Sequence, residues 1–357
     1  MTALPKPNPT DHFDPMAIGM LNRFSPGIVR AAFGNDVARA NPPLGLREAT
    51  DAIRSRIGAG GRLDILTMMT TDDFRKLLAD TVSAAALASY IINFPAVMRI
   101  SHETHDIEDF KPVEKVQGGI FPQLLPHGEG GEVQYGVIGE RGESYQAAMY
   151  SRMVEFTVEA LKNDSLGLLV EPSLRIGEGV ADTKARIIVD RITANPAMSD
   201  ATAVFHANHG NLAGTGGALA VPTLSAGRLA MRRQKDVDGM RDIGVEPAYL
   251  VVPPELETTA EQLLASITPA TSDDVNPFSG KLSLVTEHRL SDPKAWYLFA
   301  RPERQMGLEH GTVDGIPDPE VRTESPIGRH SVITRVAIAF GAGWVDFRGA
   351  YKNAGPA

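Results

Sequence analysis

The sequence predicts an α+β fold, in which helices and strands are mixed along the chain without a repeat. Two stretches, 70–90 and 166–196, place apolar residues at helical spacing. The stretch 111–155 and the C-terminal half contain the alternating and β-branched segments that are typical of strands. The 34 glycines and 25 prolines favour many turns and extended connections over a helical bundle.

Residues 1–62 are predicted to form an extension without long regular elements before residue 44. Seven prolines interrupt this part, and each one removes a backbone donor and fixes φ. They are Pro5, Pro7, Pro9, Pro15, Pro26, Pro42 and Pro43. The stretch 46–57 is predicted to be a short amphipathic helix, and the GAGG run at 58–61 is predicted to be a hinge after it.

A better helix is predicted over 70–90. Thr71 can cap it, and Asp72 and Asp73 favour the positive N-terminal end of the helix dipole. One face forms an apolar stripe that can pack on the rest of the protein. Its residues are Phe74, Leu77, Leu78, Val82 and Leu87.

The stretch 111–155 predicts a long two-stranded hairpin, with a turn at the glycine-containing segment GERGE, residues 139–143. Its apolar content is too low for both faces to be buried. A long and poorly buried ribbon is a liability in a monomer, because its edges and faces invite other chains. We therefore expect a neighbouring subunit to cover this hairpin.

The stretch 166–196 predicts a helix longer than the average of about 11–12 residues. Pro172 is expected near its start, and Pro196 ends it. The apolar positions at helical spacing are Ile176, Val180, Ile187, Ile188 and Ile192.

The C-terminal half alternates between strands and a helix. A buried strand is predicted at 248–254 and a helix at 255–266. Two further strands, 281–290 and 294–300, are joined by a turn at 291–293. The last stretch, 331–353, is strongly β-forming, and a glycine-rich break is predicted in it at 341–343.

Composition excludes several classes of protein. A net charge of −9 argues against a polybasic nucleic-acid binder, but not against a protein that encloses nucleic acid. The chain contains no cysteine, so disulfides, thiolate metal sites and a cysteine nucleophile are excluded, and intracellular synthesis is the default. No apolar run approaches the roughly 20 residues of a membrane span, and the first residues lack the apolar core of a signal peptide.

The segment FHANHGNLAGTGG, residues 205–217, is the first candidate for chemistry, because His206 and His209 lie three residues apart. Asn208, Gly210 and Asn211 predict turns there, and no nearby histidine or acidic cluster supplies the three or four ligands of a zinc site. Its glycines lack the Gly-Lys-Ser/Thr ending of a phosphate loop. We interpret the segment as a structural loop.

Three further candidates also favour structure over chemistry. In SHETH, His102 and His105 have a spacing of three instead of the four of a metalloprotease helix, so a solvated acidic connector is expected. No Gly-x-Ser-x-Gly elbow occurs. Trp296, Tyr297 and Phe299 are expected in a core strand and not in a stacking platform for bases. The sequence therefore predicts no catalytic, cofactor-binding or metal-binding residue.

Several motifs together resemble the major capsid proteins of tailed bacteriophages, especially Mu-like head subunits and capsid proteins fused behind a prohead protease. The resemblance covers residues 64–357 in order and contains no catalytic motif. The motifs are MTTDDFRKLLADTV, NDSLGLL, NPAMSDATAVFHANHGNL, LVVPPELETTAEQLL, TEHRLSDPKAWYLFA and WVDFRGAYKN.

The resemblance implies a Hong Kong 97-type capsid fold and a structural subunit of an icosahedral shell around double-stranded DNA. It assigns a linker-like, scaffold-like or propeptide-like extension to 1–62, an N-terminal arm region to 63–110, an extended loop to 111–155, a peripheral domain with a long spine helix to 156–222 plus 331–357, and an axial domain to 223–330. The implied localisation is the virion, after assembly in the bacterial host cytoplasm.

The resemblance also implies the partners. These are other copies of the chain in hexamers and pentamers, with portal, scaffold or prohead protease, and decoration proteins as further candidates. Some relatives join subunits by a Lys–Asn isopeptide bond from the extended loop. No lysine lies between Lys115 and Lys162, so no such bond is expected here. Two alternatives stay open: an encapsulin-like compartment shell and a metal-dependent enzyme that uses His206 and His209.

Overall fold

The computed structural model describes residues 13–44, 48, 49, 52, 53, 72–105, 107–118, 140–157, 167–265, 278, 280–315, 319–324 and 331–356. The chain divides into two compact units. The first unit consists of Met1–Phe94, Met149–Lys184 and Gly315–Ala339, and the second consists of Pro95–Ala148, Ala185–Asp314 and Phe340–Ala357.

The first unit begins with three short helices: α1 (Pro15–Phe24), α2 (Pro26–Phe33) and α3 (Asn35–Ala40). None exceeds ten residues, in agreement with the expectation of no long element before residue 44. The prolines, however, begin helices here. Pro15 and Pro26 occupy first helical positions, where no backbone donor is needed, and Asp14 accepts a hydrogen bond from the Met16 N–H at 2.8 Å.

Helices α1 and α2 pack on α4 (Asp72–Ile92), which confirms the helix predicted over 70–90, and α3 packs on α1 and α2. The predicted cap Thr71 lies outside the described residues. Within the predicted stripe, Leu77 and Val82 are buried. The shared apolar core explains why these short helices can persist, since isolated helices of this length are marginal in water. It comprises Ile18, Leu21, Val29, Ala32, Phe33, Ala38, Ala84, Ala85 and Ala88.

The helix predicted over 166–196 is also confirmed, as α5 (Gly167–Ala194), with Pro172 inside its first turns. In the first unit α5 lies directly against α4. An added Cβ at Gly177 would be only 2.2 Å from the carbonyl oxygen of Ala86, so the helix backbones come very close there. About two turns further along α5, Lys184 donates a hydrogen bond to the Tyr90 hydroxyl at 3.2 Å.

One five-stranded sheet consists of β1 (Ser101–Thr104), β4 (Ala148–Thr157), β8 (Leu308–Thr312), β9 (Glu320–Glu324) and β10 (Ser331–Trp344). The strand order is β1-β8-β10-β4, and β9 pairs with a separate part of β10. In the first unit, β9 is antiparallel to β10. In the second unit, β8 is antiparallel to the end of β10 and parallel to β1.

Two sequence predictions are wrong in this sheet. The SHETH segment is not a solvated connector, because its residues 101–104 form β1 with Ser101 and Thr104 buried. The glycine-rich segment 341–343 does not break β10, which runs through it. The glycines are needed for close packing instead: a Cβ at Gly343 would lie 2.2 Å from the Tyr145 Cβ.

A four-stranded sheet in the second unit has the order β11-β7-β5-β6. The strands are β5 (Pro247–Val252), β6 (Ser283–Thr286), β7 (Trp296–Ala300) and β11 (Ala350–Asn353). They confirm the strand predicted at 248–254 and the core placement of Trp296, Tyr297 and Phe299, all of which are buried. Helices α6 (Val221–Arg232) and α7 (Glu257–Leu264) contribute to its apolar core, and α7 confirms the helix predicted at 255–266.

A two-stranded antiparallel ribbon is present within 111–155, as β2 (Val113–Gly118) and β3 (Glu140–Tyr145), but the stretch after the predicted turn, which forms β4, pairs with β10 and not with the ribbon. The predicted turn at 139–143 is wrong, because residues 140–143 belong to β3 and pair with β2. Residues 119–139, which connect the two strands, lie outside the described residues. The pair β2–β3 is called the ribbon below.

The described residues test three further predictions from the sequence only in part or not at all. Of the helix predicted over 46–57, only positions 48, 49, 52 and 53 are described, and all are helical, while the hinge at 58–61 lies outside the described residues. The domain limits that the resemblance implies refer to the roles of segments in an assembled shell, and these limits stay a prediction. Among the described residues, no helix is both long and apolar enough to cross a membrane.

Candidate functional site

The two faces of the ribbon differ in their contacts. Its register pairs Val113 with Tyr145, Lys115 with Glu143 and Gln117 with Arg141, so these six side chains share one face, which is called the inner face. The other face carries Val116, whose side chain is 63% exposed. The body of the second unit therefore covers the inner face, and the outer face stays open.

Near the base of the ribbon, the inner face contacts the buried carboxylate of Glu309 on β8. The Tyr145 hydroxyl donates a hydrogen bond to Glu309 Oε1 at 2.6 Å, and Lys115 Nζ lies 3.3 Å from the same oxygen. Glu309 is only 1% exposed. A buried carboxylate is costly unless it is paired and hydrogen-bonded, and the ribbon supplies both partners.

Further out, the inner face of β3 contacts the loop after α5. The Glu143 carboxylate accepts hydrogen bonds from the Ser199 N–H at 3.0 Å and from the Ser199 hydroxyl at 2.6 Å. Arg141 Nη2 lies 2.8 Å from Asp200 Oδ2, as an ion pair without the angle of a hydrogen bond. Arg141, Glu143 and Tyr145 are the three inner-face residues of β3, and each of them contacts the body of the second unit.

Asp200 connects this contact to His209. Burial raises the pKa of Asp200, but hydrogen bonds from His209 Nε2 and the Thr202 N–H, together with the Arg141 guanidinium, outweigh burial and hold that pKa well below its usual range. The His209 ring stacks on Phe347 with a centroid distance of 3.8 Å, and the Arg141 guanidinium lies 5.2 Å from the Phe347 ring centroid. The ribbon base is therefore held by polar and stacking contacts together.

The two histidines of the FHANHGNLAGTGG segment have structural partners. The His206 ring accepts a hydrogen bond from the Asn208 N–H at 3.2 Å and caps a single 3₁₀ turn, Ala207–His209. His209 is buried, with Nδ1 2.9 Å from the Val204 carbonyl and Nε2 2.8 Å from Asp200. Among the described residues, no group of three or more histidines and acids has metal-binding geometry. That no residue binds a metal or cofactor stays a prediction.

The polar residues of β8 are functional positions that the sequence pattern did not predict. Besides Glu309, the buried His310 places Nδ1 2.8 Å from the Ser101 hydroxyl, which joins β8 to the start of β1. The available signal was a pair of titratable residues between Leu308 and Val313, in a stretch otherwise suited to a buried strand. Buried titratable groups need partners, and those partners lie far away in sequence.

The first unit exposes apolar side chains along β4. Met149 is 47% and Met153 69% exposed, and Tyr150 between them is also exposed. Met153 lines a cavity of about 310 Å³ together with Ile333, Arg335, Arg322 and Glu324. Met149 and Met153 share one face of the strand, and large apolar side chains exposed on one face mark a surface suited to contact with another protein. The ribbon and β4 follow each other directly in the chain.

Comparisons with known proteins agree on one class. Residues 141–353 match the model of a protein family described as phage capsid protein. The capsid of Ralstonia phage GP4 is similar in structure, with a TM-score of 0.52 and 11% sequence identity, over 74% of this chain and 90% of that chain. The capsid structure of cyanophage P-SCSP1u gives a TM-score of 0.48 and 12% identity, over 72% and 87%. No curated protein matches the sequence.

The family match covers more than half of the 357 residues, and the Ralstonia phage structure shows the fold. These findings confirm the resemblance on which the α+β, Hong Kong 97-type prediction rested. They give no support to the compartment-shell or metal-dependent-enzyme alternatives. The Mu-like and protease-fusion subtype stays a prediction.

Proposed function

Because the chain belongs to the phage capsid protein family and is a structural major capsid subunit, we propose that it builds the icosahedral head of a tailed phage or prophage around double-stranded DNA. Capsid relatives imply self-assembly into a shell, and hence a component of the virion. The net charge of −9 supports a container that confines DNA without sequence-specific or tight binding.

We propose further that the ribbon is the extended loop of this subunit and lies on an adjacent copy. The observation that supports this is the difference between its two faces: the inner face is bound to its own body through Arg141, Glu143 and Tyr145, whereas the outer face exposes Val116. A root fixed in this way presents the outer face of the ribbon at little entropic cost, since preorganisation lowers the cost of association.

The domain roles implied by the resemblance are part of the same proposal. They are an extension at 1–62, an arm region at 63–110, an extended loop at 111–155, a peripheral domain at 156–222 plus 331–357, and an axial domain at 223–330. A subunit in a shell touches several neighbours, so each contact can be modest while the whole is stable. Specific stable interfaces bury roughly 1,200–2,000 Å² in total, which a ribbon and an arm can supply together.

The partners of the proposed subunit are other copies in hexamers and pentamers, a portal, a scaffold or prohead protease, and in some shells a decoration protein. Assembly takes place in the bacterial host cytoplasm, and the subunit itself catalyses no reaction. No isopeptide bond joins its subunits, because no lysine lies between Lys115 and Lys162. Boiled particles on a denaturing gel should therefore run as single chains, and a ladder of joined chains would contradict this.

The experiment that tests the ribbon replaces residues 119–139 in two ways: by a short Gly-Ser linker, and by a Gly-Ser segment of equal length. Both variants keep the β2–β3 pairs and the inner-face contacts, so both should stay folded by circular dichroism. Neither should form shells in negative-stain micrographs, because most of the proposed extended loop has lost its own side chains. Normal shells from the short-linker variant would contradict the proposal.

A further inference from the structure

A basic cleft of about 620 Å³ opens in the second unit at the start of β5. Its walls are residues 243–248, at the start of β5, together with Lys281 before β6 and the residues at and after the end of β7. The charged and polar residues that line it are Glu246, Lys281, Arg301, Arg304 and Gln305. The cleft therefore contains three cationic side chains and one carboxylate.

The single carboxylate of the cleft is already engaged. Glu246 contacts Arg232 in an ion pair and lies 3.9 Å from Arg304. Within the part of the chain that the structure describes, neither Lys281 nor Arg301 forms an ion pair. The cleft thus has an excess of positive charge that the chain's own described residues do not neutralise, and it suits an acidic occupant.

An acidic surface of the same unit carries charge opposite to that of the cleft. Glu255, Glu257 and Glu261 lie on the 3₁₀ turn Pro254–Leu256 and on α7, and all three are exposed. Glu257 and Glu261 are four residues apart and therefore share one face of the helix. None of the three has an ion-pair partner among the residues described here.

The cleft and the acidic surface lie beyond opposite ends of β5. The cleft lies at the start of β5, around Pro247. Arg301 is at the same end of the strand, because the preceding residue, Ala300, pairs with Pro247. The acidic surface begins after Val252. A strand of six residues spans about 20 Å, which separates Arg301 from the start of α7, and the ion pairs among the described residues include none between the two surfaces. Two complementary surfaces on different sides of a subunit are what a closed ring of identical copies requires.

We propose that the basic cleft of one subunit receives the acidic start of α7 from the next copy, head to tail, around each ring of the shell. Lys281, Arg301 and Arg304 meet Glu255, Glu257 and Glu261 across this contact. The inference rests on the proposed function, because it needs a shell of identical subunits. Such complementarity sets the register between neighbouring copies. It disfavours other registers, because like charges that face each other are strongly unfavourable.

Charge reversal tests the contact. The variant Arg301→Glu/Arg304→Glu and the variant Glu257→Lys/Glu261→Lys should each yield at least about tenfold fewer particles by sedimentation, since each places like charges together. The chain that carries all four changes restores opposite charges and should recover most particles. Arg39→Glu and Asp36→Lys, at exposed positions of α3, are matched controls that should assemble normally.

Several results would overturn the contact. Normal assembly of either reversed pair would do so, and so would failure of the folded four-change chain to recover particles. Intact shells that lose only their DNA in the Arg301→Glu/Arg304→Glu variant would assign the cleft to nucleic acid instead. If the unchanged chain forms no particles at all, the proposed function fails, which is distinct from failure of this contact alone.

A second measurement does not depend on how well the reversed chains fold. The chain has no cysteine, so Arg301→Cys/Glu257→Cys introduces the only two thiols. The two positions lie beyond opposite ends of β5, a strand that spans about 20 Å, so a short bis-maleimide does not join them within one chain. An arginine and a glutamate that form an ion pair keep their Cα atoms farther apart than the about 7 Å of a disulfide, so this reagent is used in place of oxidation. Particles treated with it should give a ladder of joined chains on a denaturing gel. Intact particles that yield only single chains would overturn the contact.

Discussion

Gly177 offers the sharpest test of the packing in the first unit. A methyl group at this position would lie 2.2 Å from the Ala86 carbonyl oxygen, 2.7 Å from the Ser89 Cβ and 2.8 Å from the Tyr90 nitrogen. Favourable contacts begin at about 3.5 Å, so the carbonyl contact is short by about 1 Å. Two of the three atoms belong to the backbone of α4 and cannot rotate away. Gly177→Ala must therefore push α4 and α5 apart.

The magnitude follows from two opposing contributions. Overpacking of this kind destabilises by about 1–3 kcal/mol, occasionally more. Replacing a glycine inside a helix by alanine stabilises by about 0.8–1 kcal/mol. Gly179 lies on the same helix, is exposed, and would place its methyl group within 4 Å of nothing. The difference between the two alanine variants cancels the helix contribution and isolates the clash.

The assay is urea unfolding of the dispersed subunit, followed by circular dichroism. We expect Gly179→Ala to be as stable as the unchanged chain or slightly more stable, and Gly177→Ala to be less stable than Gly179→Ala by about 1–3 kcal/mol. The unfolding slope should stay the same, because the change affects the folded state. Equal stability of the two variants would refute the close approach of α4 and α5.

Two other predictions concern the base of the ribbon. Tyr145→Phe removes a 2.6 Å hydrogen bond to the buried Glu309 carboxylate and should lower the free energy of unfolding in urea by about 1.5–3 kcal/mol. The control Tyr150→Phe, at an exposed tyrosine, should change it by less than about 0.5 kcal/mol. Equal effects of the two changes would contradict the role of Glu309. The lowered pKa of Asp200 contributes stability above the ordinary carboxyl pKa of about 3.9, and this stability is lost as the pH falls toward the folded-state value. Asp200→Asn should therefore reduce the loss of stability below about pH 4 in acid unfolding, and an unchanged acid profile would contradict the pairing with Arg141 and His209.

The sequence was most informative where the signal was local and periodic. The helix over 70–90 and the helix over 166–196 both formed within a few residues of their predicted limits, because each buries one apolar face at helical spacing. The strand around Leu250 and the core position of Trp296 were also predictable, since continuous apolar runs have no alternative to burial.

The errors have a common cause. Residues 140–143 contain glycine and charge, which suggest a turn, but β2 provides a pairing partner for them. Residues 101–104 look like a solvated connector, but β8, some 200 residues away in sequence, pairs with them and makes them the edge strand of the described sheet. Gly341 and Gly343 suggest a break, but they admit Ala147 and Tyr145 against a continuous strand. In each case a distant partner outweighed the local preference.

By itself, the sequence determined the mixture of helices and strands, the lack of thiol chemistry, and a pattern shared with capsid subunits. Only the tertiary structure decided which face of the ribbon is bound, because Arg141, Glu143 and Tyr145 find Asp200, Ser199 and Glu309 at separations of 56 to 164 residues. Apolar periodicity is written into neighbouring residues, whereas the partner of a buried charge depends on which segments the fold brings together.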